Sequence, residues 1–318
     1  MFTYETFYQQ QMDLIGRLRQ EVQGLLNIAD IRSAGRGDSV MFVGQLLGDA
    51  ESAYGALRER FRRLGYTPLL RREGNADIVV AQRGLARTAR FNPLINAGLL
   101  AATIVTTLFA GAGFAGVNPL PGLQAALNTG NWSSLLSTLG AGVPFAATLL
   151  FILGVHEMGH YLAARLHAVQ VTLPYFIPVP FGLGTFGAFI QMRSPVENRK
   201  ALFDVGLAGP LAGFAVAVPL MIVGLLQSRI VPAASGAHWG TSLLIRWLVD
   251  VFAAHGPQQA VALSPVAIAA WFGLLVTGFN LLPLGQLDGG HIAYAVLGKA
   301  ARPLAFAAFA GLLFLGLT

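Results

Sequence analysis

Apolar residues run through this chain in two regimes, and the change falls near Arg90-Phe91-Asn92-Pro93. Before it, apolar and charged positions alternate at short periods. Phe7, Met12, Leu14, Ile15, Leu18, Val22 and Leu25 recur at helical spacing and predict an amphipathic helix over residues 5–26. Val40-Met41-Phe42-Val43 reads as a strand. Asp49 suits the N-cap of a helix through Leu64, and Gly65 suits the position that ends it. Thr67 to Arg72 and Asp77 to Ala81 read as two strands joined at Gly74-Asn75. The result is a β-α-β-β pattern behind the first helix, hence a small soluble α+β domain over residues 1–90. Gly35-Arg36-Gly37-Asp38 reads as an ordinary polar loop.

After the boundary the apolar runs lengthen, and residues 91–318 are expected to form a multi-spanning membrane domain. Spans are predicted at about Leu94 to Val117, Gly142 to Leu166, Ala201 to Ile230 and Pro265 to Leu284. A fifth run, Leu304 to Leu317, is barely long enough to cross, as in a truncated chain. Residues 118–142 carry no charge but contain Pro119 and Pro121, which predicts an external loop or a segment at the interface. Residues 231–262 form a second external segment, too short for an inserted domain of usual size. From Leu173 to Gly187 the prolines Pro174, Pro178 and Pro180 and the glycines Gly182, Gly184 and Gly187 forbid a regular helix. The stretch is nonetheless apolar, so it is expected to dip back into the membrane domain as strands or a re-entrant loop. A free strand edge there suits pairing with an unwound substrate; a plain packed hairpin is the alternative. Gly206, Gly209 and Gly213, around Pro210, give the third span a small-residue surface for close helix approach.

Composition agrees with this division. Of 318 residues 54% are hydrophobic and only 11% charged, which fits a mostly α, polytopic membrane protein. Residues 1–93 hold 13 of the 21 Lys and Arg and 10 of the 15 Asp and Glu. The net charge of +6 divides evenly between the two regimes, with arginines interleaved among acids. That pattern fits a solvated or lipid-facing surface and argues against a nucleic-acid partner. With no cysteine, disulfides, thiolate metal sites and cysteine nucleophiles are excluded. The first residues lack the pattern of a signal peptide. Arg83, Arg87 and Arg90, then Arg193, Arg199 and Lys200, then Lys299 and Arg302 share one side if the N-terminus is cytoplasmic, leaving Arg229 and Arg246 opposite.

The chemistry concentrates in His156-Glu157-Met158-Gly159-His160, inside the second span. A helix places His156 and His160 one turn apart on one face, where both imidazoles can bind one zinc ion. Glu157 sits beside them as a general base for an attacking water. Ionisable groups in an apolar helix are costly to insert, which marks them as functional. His160 lies about 7–8 Å along the helix axis from Arg165, so the centre is expected inside the bilayer near the basic side. A catalytic zinc site uses three protein ligands, and the broken segment after Asn280 offers Asp288 or His291 as the third. His167, His238 and His255 read as surface histidines. Asn280 suits a hydrogen bond to substrate or to an oxyanion, with helix packing as the alternative. Gly111-Ala112-Gly113-Phe114-Ala115-Gly116 spells a dinucleotide-binding pattern, rejected because it ends a membrane segment rather than opening a βαβ unit.

Together with Gly209-Pro210 and Asn280-Leu281-Leu282-Pro283 leading to Leu287-Asp288-Gly289, the histidine motif resembles the site-2 protease family (peptidase family M50) of intramembrane zinc metalloproteases. The likeness covers about residues 94–298. It implies a three-helix metalloprotease core with extra spans, one zinc per chain on His156, His160 and Asp288, and Glu157 as catalytic carboxylate. It also implies a transmembrane protein substrate, cut within the bilayer in regulated proteolysis. Gly285-Gln286-Leu287-Asp288-Gly289-Gly290-His291 and the Phe186-Gly187-Ala188 stretch are most similar to the cyanobacterial and plastid branch, and Gly187 becomes a candidate substrate contact. The expected location is a bacterial cytoplasmic membrane, with a plastid membrane second. The rivals are a non-catalytic membrane chaperone of the same fold and a metal transporter, the latter lacking internal repeats and polar residues along several spans.

Overall fold

A computed structural model describes residues 4–34, 39–84, 92–194, 196, 198–233, 240 and 242–317. The polar loop at 35–38, Arg87, Arg90, Glu197 and His238 lie outside the described residues. The chain divides into two compact units, residues 1–90 and 91–318.

In the first unit, α1 (Tyr4–Val22) leads into β1 (Leu26–Ala34) and β2 (Ser39–Leu46), then α2 (Ala50–Arg63), β3 (Tyr66–Glu73) and β4 (Ala76–Arg83). The sheet is antiparallel, in the order β1-β2-β4-β3. The first helix is shorter than its apolar spacing predicts. Gly24 takes a left-handed φ of 78°, which turns the chain out of the helix and frees Leu26 to Ala34 to pair with β2. Asp49 caps α2 by accepting from the Glu51 and Ser52 amides, and Gly65 follows its end with φ 76°. Leu18 and Val22 of α1 and Leu57 and Phe61 of α2 form one core with Val40, Phe42, Val79 and Ala81 of the sheet.

The second unit is helical. Its elements are α3 (Pro93–Phe114), α4 (Leu120–Thr129), α5 (Trp132–Ala141), α6 (Val143–Leu166), a hairpin of β5 (Tyr175–Pro178) and β6 (Thr185–Phe189), and α7 (Arg199–Leu226). A second small hairpin, β7 (Arg229–Pro232) with β8 (Gln259–Ala262), brackets α8 (Leu243–Phe252). Then come α9 (Pro265–Asn280), α10 (Asp288–Leu297) and α11 (Ala301–Leu317).

Among the described residues, four helical stretches are long and apolar enough to cross a membrane: α3, α6, α7 and the run Asp288–Phe314. The fourth predicted span, α9, has 16 residues and stops at Asn280, because Pro283 and the left-handed Gly285 (φ 48°) break the chain beyond it. The final apolar run is continuous with α10 rather than standing alone. Residues 118–142, expected as an external loop or a segment at the interface, hold two helices: Pro121 falls in the first turn of α4, which tolerates it, and Gly130 ends that helix with φ 69°.

Helices α6, α7 and α9 pack as a bundle, and each interface rests on a glycine. A Cβ at Gly159 of α6 would strike the backbone of Ala208, one at Gly224 of α7 the backbone of Ala267, and one at Gly273 of α9 the side chain of Ile152. Larger residues would hold the helices apart. Buried Ile152, Met221, Leu225, Ala267 and Ala270 fill the shared core.

Candidate metal centre

The helical period of α6 brings His156 and His160 together, with ring centroids 4.9 Å apart and planes at 71°. Both are buried, at 4% and 7% exposure. Asp288, 132 residues after His156, arrives from the break between α9 and α10 as the first residue of α10. A helix N-terminus favours a carboxylate at that position. The turn that delivers it is tight: a Cβ at Gly289 would overlap the Leu281 carbonyl oxygen, and one at Gly290 would lie 2.5 Å from that of Gly285. Leu287-Asp288-Gly289-Gly290 is therefore as much a backbone requirement as a chemical one.

Three donor atoms converge. The two Nε2 atoms lie 3.2 Å apart, His156 Nε2 lies 3.3 Å from Asp288 Oδ2, and His160 Nε2 lies 3.2 Å from the same oxygen. A tetrahedral ion with bonds of about 2.0–2.1 Å has donor-to-donor edges of about 3.3–3.4 Å, so this triangle is close to one face of such a site. His160 Nδ1 donates to the Val205 carbonyl at 2.7 Å, which leaves the Nε2 lone pair directed at the cluster. Lone pairs crowded together in a buried place repel unless a proton or a cation lies between them. Among the described residues this is the one cluster of three that could hold a metal ion. The donors fit a zinc-like ion.

Helix α7 forms the floor. A Cβ at Gly209 would overlap the His160 imidazole, one at Gly213 would stand 3.0 Å from His156 Nδ1, and one at Gly206 would stand 3.2 Å from Ile292 of α10. The three glycines recur at helical spacing and face α6 and α10. The sequence shows them as a small-residue surface; that they give room to the imidazoles becomes visible only with the helices in place.

A cavity of about 230 Å³ opens on the cluster. Glu157 lines it, 7% exposed, and Ile190, just past β6, lines the same cavity. Asn280 also lines it, with Nδ2 3.4 Å from His156 Nε2. His291 lines the cavity three residues beyond Asp288 but lies outside the donor triangle. Gln286 lines it too and is exposed, a polar element that the sequence reading did not single out. Gly187 is not among the lining residues. It lies within β6 with φ 103°, its amide donating to Thr185 Oγ1, while Ala188, Phe189 and Ile190 form the wall. His167, expected as a surface histidine, pairs with Asp204 Oδ2 at 2.9 Å. His255 is exposed, with Nδ1 3.2 Å from the Ala253 carbonyl.

The family described as Peptidase family M50 matches residues 144–317. "Probable zinc metalloprotease EGY1, chloroplastic" of Oryza sativa subsp. japonica is 40% identical over 177 residues, covering 52% of this chain and 30% of that protein. "Probable zinc metalloprotease EGY2, chloroplastic" of Arabidopsis thaliana is 31% identical over 275 residues, covering 82% of this chain and 47% of its own length. The chain thus spans less than half the length of these relatives. No solved structure gives a significant match.

Proposed function

The chain belongs to peptidase family M50, and from that membership we propose that it is a zinc-dependent intramembrane endopeptidase acting on transmembrane protein substrates. The observation that carries this reading is the donor triangle of His156, His160 and Asp288, with Glu157 beside it in one buried cavity. His156, His160 and Asp288 would hold one zinc ion. When bound, zinc supplies Lewis-acid polarisation of the scissile carbonyl and of the attacking water.

The chain's own groups do the remainder. Glu157 takes the proton of the attacking water and returns it to the leaving amine, a double task suited to a carboxylate in a dry wall. Asn280 Nδ2 donates to the oxygen that becomes negative as the carbonyl turns tetrahedral. Leu202, Val205 and the end of β6 exclude bulk water, while Gln286 gives a polar approach.

The β5–β6 hairpin is the re-entrant element of this reading. Its two strands pair with each other, which leaves an outer edge on β6 for an extended substrate backbone. Residues 1–90 form the soluble α+β domain on the cytoplasmic side, and residues 91–318 the membrane domain with a core of α6, α7 and α9. The membrane is the bacterial cytoplasmic one; the names of the relatives point to the plastid as the alternative.

Glu157→Gln tests the assignment. The variant should keep zinc and lose cleavage of a transmembrane substrate, whereas undiminished cleavage would refute the mechanism. Retained Glu157 beside a complete donor set counts against a non-catalytic chaperone of the same fold.

A further inference from the structure

Two stretches of the metal cavity's wall carry neither a metal donor nor the general base. One is the end of β6 and its continuation, Ala188 to Ile190 and Met192; the other is Gln286 and Leu287, in the break between α9 and α10. Gln286 is exposed, and among the described residues its carboxamide has no hydrogen-bond partner. Its backbone is nonetheless fixed. Gly285 and Gln286 are the central residues of a turn that the Leu287 amide closes by donating to the Leu284 carbonyl at 3.0 Å. Gly285 takes φ 48°, and the Gly290 amide donates to the Leu287 carbonyl at 2.9 Å. An unpaired carboxamide is thus held on a rigid backbone in the wall of the cavity, just before the metal donor Asp288.

What such a group recognises follows from the backbone of a peptide. In an extended chain the N–H and C=O of alternate residues point to opposite edges. Pairing along β6 satisfies one edge only. The other edge carries N–H and C=O groups that are costly to leave without partners where water is excluded. A carboxamide offers an acceptor oxygen and donor hydrogens side by side. One such side chain can therefore accept from the N–H and donate to the C=O of a single extended residue. Every residue except proline presents that pair, so the contact does not depend on the side chain.

We propose that Gln286 is a substrate-binding residue: its carboxamide grips the backbone edge of an extended substrate that β6 leaves unpaired. The inference rests on the peptidase reading for the identity of the ligand. It gives the cavity a backbone clamp made of two elements, a strand edge on one side and a single side chain on the other. The gripped position of the substrate accepts any residue but proline, whose nitrogen has no hydrogen to donate.

The test measures equilibrium binding, so that it does not depend on turnover. The full chain carrying Glu157→Gln, loaded with zinc in detergent micelles, is titrated with a synthetic leucine- and alanine-rich transmembrane peptide interrupted by Asn-Gly. Adding Gln286→Met, which keeps the length of the side chain and removes both hydrogen-bonding groups, should weaken binding roughly tenfold, the worth of two neutral hydrogen bonds. Peptides with one backbone amide replaced by an ester, scanned through the interruption, locate the gripped residue. One ester should weaken binding to the Glu157→Gln chain and have no effect once Gln286→Met is added. Equal affinity with and without Gln286→Met would overturn the clamp. So would ester effects of the same size in both chains, or no binding of the peptide to the Glu157→Gln chain. Loss of zinc or a lower unfolding temperature with Gln286→Met would also overturn it, by making the side chain a support of the Asp288 turn. The peptidase reading is judged separately, by whether wild type cleaves the same peptide.

Discussion

Glycine, more than histidine, decides whether this metal centre can exist. The imidazole of His160 occupies the space that a side chain at position 209 would need, and His156 stands against Gly213. Gly209→Ala therefore forces either the imidazole out of the donor triangle or α7 away from α6. Overpacking of this kind costs about 1–3 kcal/mol, so the variant is expected to unfold at lower temperature and to bind substoichiometric zinc. Full zinc occupancy at wild-type stability would show that the imidazole does not need that space. Asn280 permits a cleaner separation, because its amide approaches His156 without completing the triangle. Asn280→Ala should keep zinc while kcat falls by about 10²–10³, the usual cost of one oxyanion donor. An unchanged kcat would return Asn280 to a packing role.

At the scale of elements, the hairpin beside the cavity owes its place to α3. Asn96 Nδ2 donates to the carbonyls of Leu173 and Pro174 at 3.0 and 2.8 Å, and Thr106 Oγ1 donates to the Gly184 carbonyl at 2.6 Å. The two contacts grip the hairpin at its base and near its turn. Asn96→Leu removes the donor from two part-buried carbonyls, at about 1 kcal/mol, and should increase proteolytic nicking and hydrogen exchange in residues 173–189. Unaltered protection there would mean that the hairpin holds itself.

Helix α2 of the first unit allows a test by pH. The Asp49 carboxyl is held below its ordinary value, first by the Ser52 amide that it caps. A depressed folded value means that the cap's contribution is fully present above the ordinary carboxylate range and is lost as pH falls through the lowered value. Protection of the Glu51 and Ser52 amides should drop in that acidic window, and Asp49→Asn should abolish the dependence.

These elements also show what the chain discloses before folding. Asp49, Gly65 and the Gly74-Asn75 turn were legible because caps and turns obey local backbone rules. Strand β1 was hidden behind helical spacing that runs on past Gly24, and α4 and α5 behind prolines and glycines that suit a helix start and a helix stop as well as a loop. His156, Glu157 and His160 were readable from one helical period. Asp288 needed the family resemblance, since its contact with the histidines spans 132 residues and depends on a broken backbone. No local rule distinguishes it from His291.

For the molecule as a whole, the strongest arrangement is of charge along the long helices. Helix α7 has 28 residues with Arg199 and Lys200 at its start, and Arg229 follows its end. At 1.5 Å per residue such a helix is about 42 Å long, more than the hydrocarbon thickness, so it is long enough to carry its two ends to opposite sides. The metal centre is not midway. His160 meets α7 at Val205 and Gly209, within its first three turns, so the site is displaced toward the end that carries Arg199 and Lys200. Water has a shorter path to the site from that side. The absence of cysteine makes this testable without background. Cysteine placed at exposed Gln191, before α7, should react with a membrane-impermeant maleimide from the side that carries the basic cluster. Cysteine placed at exposed Gln258, after it, should react only from the other side. Labelling of both from one face would remove α7 as a crossing and, with it, the placement of the histidines inside the bilayer. If they label from opposite faces, a water-soluble chelator added on the Gln191 side should strip zinc faster than the same chelator added on the Gln258 side.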